Sequence, residues 1–252
     1  MNSYEKIVKN ISENRHKVYF IHYSCQNLSD DNEGYSPRIT SIAILHMDSS
    51  QMHSFSVHLV AEEMHISREK IFESYDSIES QMLEKYFEFI KSRKENTIWV
   101  HWNMSNVNYG FEVLEHRYKV LTGNEPIHID ENYKHNLSNL IKKRYGPLYA
   151  KDPKMLSLML LNGQKDQHFL SGNEEVTAFK AKEFVKLHNS TMCKVYFFKD
   201  VYIKLKLGKL KTDNNQFKYK LNELYQNPIV QIISIIGVIG TIFSLIYTFL
   251  KQ

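Results

Sequence analysis

The apolar positions of this chain fall into short runs whose spacing changes along its length. Residues 18–24, VYFIHYS, form an apolar and aromatic run of strand length, and Ile39–His46, ITSIAILH, forms a second. A third covers residues 55–59, after the turn-forming MDSSQ. Together they predict an antiparallel meander. From about residue 67 to 93, Ile71, Tyr75, Ile78, Met82, Tyr86, Phe89 and Ile90 recur at helical spacing and predict one long amphipathic helix. TIWVHW at 97–102 predicts a short buried strand, and Val113, Leu114, Tyr118 and Leu121 predict a helix over 109–121. Beyond Gly123, helical patterns at 136–145 and 153–161 are broken by Gly146-Pro147 and Asn162-Gly163. A longer helix is predicted over 173–188, with Val176, Phe179, Phe184 and Leu187 on its core side. Residues 193–211 read either way, with strand-like aromatics in a basic, amphipathic texture, and 212–226 read as a polar linker.

The last run is different. Pro228–Leu250 contains 23 residues and no charge, and about 20 suffice to cross a hydrocarbon core. The expectation is a transmembrane helix. Lys204, Lys206, Lys209, Lys211, Lys218 and Lys220 precede it and only Lys251 follows, which predicts a single pass through an inner (cytoplasmic) membrane with the N-terminal domain cytosolic. Ser234, Gly237, Thr241, Ser244 and Thr248 share one stripe of that helix and predict a helix interface, and from it a homo-oligomer in the lipid, either simply packed or lining a narrow pore. The chain then divides into a polar segment at 1–17, an α/β domain at 18–191, a basic amphipathic linker at 192–226 and the membrane helix at 227–250.

Composition narrows the picture a little. With 42% hydrophobic and 24% charged residues the chain is a folding one, not a disordered one. A net charge of +4 does not by itself point to nucleic acid. Cys25 and Cys193 make no disulfide framework and no C-x-x-C pair, which suits a reducing compartment. Residues 1–17 lack the apolar core of a signal peptide. There is no Walker loop, no Gly-x-Gly-x-x-Gly and no Gly-x-Ser-x-Gly elbow.

The order strand-strand-strand-helix-strand-helix, followed by helices, resembles a ribonuclease-H-like fold, and residues 18–191 resemble the DEDD (DnaQ-like) 3′–5′ exonuclease family. Where that family carries Asp-x-Glu on its first strand, this chain has His22, Tyr23 and Ser24. Its His-Asn-x-x-Phe-Asp motif corresponds to VHWNMSNVNYGF, with Asn103 in place and Asn106 or Asn108 where an Asp would stand. The third motif's Asp falls near Glu174 and Glu175. The family's chemistry needs divalent ions held by several carboxylates. The resemblance therefore implies a cleft that accepts a single strand without cutting it, with no metal, no cofactor and no catalytic residue. Tyr23, Trp102 and Tyr109 are the expected base-stacking rings, His22, Asn103, Asn106 and Asn108 the hydrogen-bonding groups, and Arg117, Lys186 and His188 the backbone contacts.

In plan the chain is similar to membrane effectors of bacterial nucleotide-signalled anti-phage systems, such as the Hailong channel effector. That implies a single-stranded oligonucleotide ligand gating an ion channel, with a nucleotidyltransferase-type signalling enzyme as partner. Two other readings stay open. One is a membrane-attached metal-dependent nuclease with displaced acids among Glu112, Glu115, Asp130, Glu174 and Glu175, and the other is a tail-anchored scaffold with no ligand.

Overall fold

The computed structural model describes residues 3–26, 37–93, 96–106, 109–214, 219, 221, 224 and 228–250. A mixed five-stranded sheet forms its centre, in the order β3-β2-β1-β4-β7, from β1 (Val18–Cys25), β2 (Ile39–His46), β3 (Met52–Ser56), β4 (Ile98–His101) and β7 (Lys134–Asn136). β1, β2 and β3 are antiparallel neighbours, and β1-β4 and β4-β7 are parallel. A two-stranded ribbon, β5 (Ser105–Asn106) with β6 (Tyr109–Gly110), follows β4.

Alternation along β1 sorts its side chains onto two buried faces. Ile21 and Tyr23 join one core, with Ile42, Ile44 and Trp99, beneath α2 (Val57–Glu63), α3 (Tyr75–Ser92) and α4 (Phe111–Thr122). Val18 and Phe20 join the other, with Ala43, Leu45, Ile98 and Val100, against α1 (Ser3–Glu13), α5 (Leu137–Tyr145) and α8 (Phe184–Lys206). A sheet covered on both faces has near-continuous apolar strands, which is why β1, β2 and β4 read clearly. His22 and Ser24 share the second face, so they point at α8.

Several elements depart from expectation. The third strand is Met52–Ser56, and the apolar residues after it begin α2. The long helix starts at Tyr75, after a short 3-10 turn at Arg68–Lys70. The helix expected over 173–188 is two, α7 (Gly172–Lys180) and α8, separated where Lys182 takes a φ of +58°. The ambiguous 193–211 stretch is mostly the rest of α8, so the expected boundary at 191 falls inside a helix. α6 is Lys154–Asn162.

The membrane reading is corrected. Pro228–Leu250 does form a 23-residue helix, yet among the described residues no helix is long and apolar enough to cross a membrane. The continuous apolar surface that a span requires is described only in pieces: the side chains of Gln231, Ser234, Ile239 and residues 243–249 lie outside the described residues. With the span go the transmembrane fold class, the ion channel and the inner-membrane placement with a cytosolic domain. Of the expected pore stripe, the side chains of Ser234, Ser244 and Thr248 lie outside the described residues, while Gly237 and Thr241 are exposed. The Thr241 hydroxyl donates to the Gly237 carbonyl at 2.7 Å, so it is turned back onto its own helix.

Candidate functional site

In an open sheet with parallel strands, the crevice at their carboxyl ends where the chain order reverses is the usual ligand site. Here that point lies between the ends of β1 and β4, and the chain's own side chains fill it. Glu175 on α7 is the hub. Its Oε1 accepts from Lys194 Nζ at 2.7 Å, Ser24 Oγ at 2.9 Å and Ser190 Oγ at 3.2 Å. Ser24 also bonds Thr191 Oγ1 at 2.7 Å, and Ser190 Oγ accepts from the Leu170 amide. The Lys194 ammonium, with 5% of its side chain exposed, lies 5.3 Å from the Phe169 ring. Thus β1, α7 and α8 meet in a buried ion pair surrounded by hydroxyls.

Tyr109, on the ribbon after β4, closes the other side. Its ring stacks on Tyr23 at 4.5 Å and its hydroxyl donates to the Tyr23 carbonyl at 2.7 Å. His22 Nδ1 lies 3.2 Å from the same hydroxyl, which assigns the His22 proton to Nδ1. Burial, then the charge of Lys194, holds the His22 imidazole well below its ordinary pKa, so it is neutral.

The residues expected to hold a strand are brought together only in part. His22, Tyr23 and Tyr109 do meet, but Tyr23 is buried and its stacking partner is Tyr109 rather than a base. Trp102 is buried in a stack on Phe198 at 5.9 Å. His188 is buried with Nδ1 2.8 Å from Ser41 Oγ. Arg117 is buried on the opposite face of the sheet and gripped by Glu79. These four side chains therefore serve the core, because aromatic and charged groups that find partners can be buried. Lys186 is exposed and pairs with Glu183 at 3.1 Å. Asn103 is exposed, with a φ of +55°, and exchanges hydrogen bonds with Asn136, from its own amide to Oδ1 and from Asn136 Nδ2 to its Oδ1 at 3.2 Å. Asn108 and the Asn106 side chain lie outside the described residues.

The acids of the nuclease reading are dispersed. Glu112 pairs with Lys134, Glu115 with His128, and Asp130 caps a 3-10 turn through the Asn132 amide. Glu174 closes a capping box with Ser171, whose hydrogen bonds, helped by Lys165, hold its carboxyl down to about 2. Among the described residues no group of three or more His, Cys, Asp or Glu side chains is placed to hold a metal ion. Burial pushes the Cys25 and Cys193 thiols up to about 12, so neither is a thiolate nucleophile at neutral pH.

Lys194 is the residue that sequence reasoning missed. It lay in the stretch read as strand or helix. The signal was a lysine on the helical stripe Leu187, Ser190, Thr191, Lys194, Val195, Phe198, every one of which is buried. A lysine on such a stripe needs a counter-charge.

Beyond the Asn103–Asn136 pair, a cleft of about 570 Å³ opens along β7 and one side of α5, lined in part by His101, Lys134, His135, Asn139, Lys142 and Lys143. Its volume is that of a small-ligand site. Comparison with protein-family models, with curated proteins and with solved structures finds no match to this chain, so no relative lends a role to any of these residues.

One stability prediction belongs to the centre. Lys194→Met leaves the Glu175 carboxylate with hydroxyl donors but no cation. It is expected to cost about 2–3 kcal/mol, less than a fully enclosed pair because Glu175 keeps some contact with water. Urea denaturation measures it, and a loss below about 0.5 kcal/mol, the level of an exposed pair, would mean that the pair is solvated.

Proposed function

We propose that this chain is a non-catalytic, single-strand-binding domain on a ribonuclease-H-like scaffold, whose metal position is taken by its own lysine. The observation that carries the reading is the 2.7 Å contact between Lys194 Nζ and Glu175 Oε1. A carboxylate at the end of the central strand is where a hydrolytic centre would hold a divalent cation; here an ammonium neutralises it, and Ser24 and neutral His22 stand in for further acids. The strand order β3-β2-β1-β4-β7, with the first strand at the centre, supports the scaffold. The open cleft beside Asn103, with its lysines, supports a strand as ligand.

The test uses the full chain with labelled single-stranded DNA and RNA, measuring anisotropy for binding and product length for cleavage, with Mg²⁺ or Mn²⁺ present. Binding without cleavage is expected, unchanged by Glu175→Gln once folding is verified. Metal-dependent cleavage that Glu175→Gln abolishes would return the chain to the nucleases. No binding of any strand by folded protein would leave the scaffold reading.

A further inference from the structure

The walls of the cleft along β7 and α5 are not electrically neutral in effect. Two carboxylates line it, Glu112 and Glu131, and both are engaged by one buried lysine. Lys134 Nζ lies 2.6 Å from Glu131 Oε1 and 3.6 Å from Glu112 Oε1, and 4.8 Å from the Phe111 ring. Lys142, Lys143 and His135 also line the same space. Lys143 is exposed and reaches the Ser3 hydroxyl at 3.3 Å. Lys142 is exposed and makes no side-chain hydrogen bond or ion pair among the described residues. His135 Nε2 is buried and has no hydrogen-bond partner among the described residues, and burial first, then the charge of Lys143, disfavours protonation of the ring. An orphaned ring nitrogen in a buried position is costly unless something fills it.

These side chains lie on one side of the cleft because β7 runs directly into α5. His135 is the middle residue of β7, and Asn139, Lys142 and Lys143 follow on consecutive turns of one helix face. The Tyr219 ring lines the cleft as well and rests on Gly146, whose φ of +85° suits a residue without a side chain. Two exposed ammonium groups and one buried imidazole nitrogen without a partner among the described residues suit a ligand rich in acceptor oxygens and carrying negative charge. We infer that the cleft is a phosphate-ester site, taking a terminal phosphate of the strand between Lys142, Lys143 and His135. A terminal phosphate carries more charge than an internal phosphodiester and leaves more oxygens free for such donors. The inference rests on the single-strand reading for the rest of the ligand, but the phosphate itself is tested apart from it.

Calorimetry on the full chain compares inorganic phosphate, a nucleoside monophosphate, and short oligonucleotides of one sequence with a 5′-phosphate, a 3′-phosphate or neither. Imidazole ¹⁵N spectra follow His135. One phosphorylated form is expected to bind about tenfold tighter than the unphosphorylated strand, the size of one charge-assisted contact. The preference should disappear in the Lys142→Glu/Lys143→Glu double variant, with the His135 ring nitrogens shifting only on phosphate-bearing ligands. Strands that bind equally well with and without phosphate, with His135 unmoved, overturn the inference and leave the single-strand reading standing. Binding of phosphate and the monophosphate but of no strand does the reverse. Failure of every probe overturns both.

Discussion

Acidification from pH 7 to about 4 is expected to remove most of the stability of this domain. Six histidines, at 22, 53, 58, 101, 135 and 188, are held below their ordinary pKa, in each case first by burial. His22 is held well below it, His101 goes to about 3, where Nδ1 accepts the Met104 amide, and His188 to about 4, beside Ser41 and 5.2 Å from the His58 ring. The unfolded chain takes up these protons near pH 6.5 and the folded one does not. The stability that they confer is therefore complete above about pH 6.5 and is lost as the pH falls towards the folded values. Each such group costs about 1.4 kcal/mol per pH unit within its window, and His101 and His188 together reach roughly 5–7 kcal/mol by pH 4. That is on the scale of a whole domain's stability. Glu79 acts in the opposite sense, since burial raises its carboxyl and the folded state then takes up a proton more readily, but it is one group against six. Denaturant titrations at pH 7, 5.5 and 4.5 measure the slope, and His101→Asn with His188→Gln should flatten it whatever they cost at pH 7. A denaturation midpoint unchanged between pH 7 and 4.5 would show that protons reach these rings without unfolding, and the argument would fall.

Glu79→Gln is expected to cost about 3–5 kcal/mol, because it strands a guanidinium inside the protein. Glu79 is fully buried at the junction of α3, α4 and β2. Arg117 grips it with two bonds, Nε to Oε1 at 2.9 Å and Nη2 to Oε2 at 2.6 Å, and the Ile39 amide donates to Oε1 at 2.7 Å. Asp76, mostly exposed, is the one other acid at Arg117 among the described residues, at 3.0 Å. The glutamine keeps the shape but neither the charge nor the second acceptor oxygen. The thermal midpoint should fall by about 10 °C or more for a chain of this size. The double variant Glu79→Met/Arg117→Met removes both charges and should recover much of the loss, though not all, because the Ile39 amide loses its acceptor. A single substitution that stays within about 1 kcal/mol of the parent would mean that water reaches the guanidinium, and the pair would then count as a surface one.

What could be read in advance follows from where burial writes a period into the chain. β1, β2, β4 and the helices α4, α5 and α6 were legible, because alternation or a helical stripe marks each. β7 was not: Lys134–Asn136, KHN, has no apolar alternation and is a strand because β4 pairs with it. The break between α7 and α8 was hidden because AKE carries neither Gly nor Pro. α8 looked ambiguous for a physical reason: its residues Phe184 and Leu187 enter one core while Val195 to Leu205 enter the other, so no single polar face runs its length. The site suffered the same blindness. A motif marks Ser24 and Glu175, whereas Lys194 joins them only through the fold. Residue type alone does not separate Tyr23 or Arg117 in a core from the same residue facing a cleft.

The ion pair at the end of β1 has one more consequence. A dissociable metal ion occupies its site only in proportion to its supply, and a chelator empties it. The cation at Glu175 is covalently part of the chain, so its local concentration is fixed by the length of its tether and cannot be diluted. The centre therefore stays charge-balanced where free divalent ions are scarce, and this part of the molecule is indifferent to the metal economy of its surroundings.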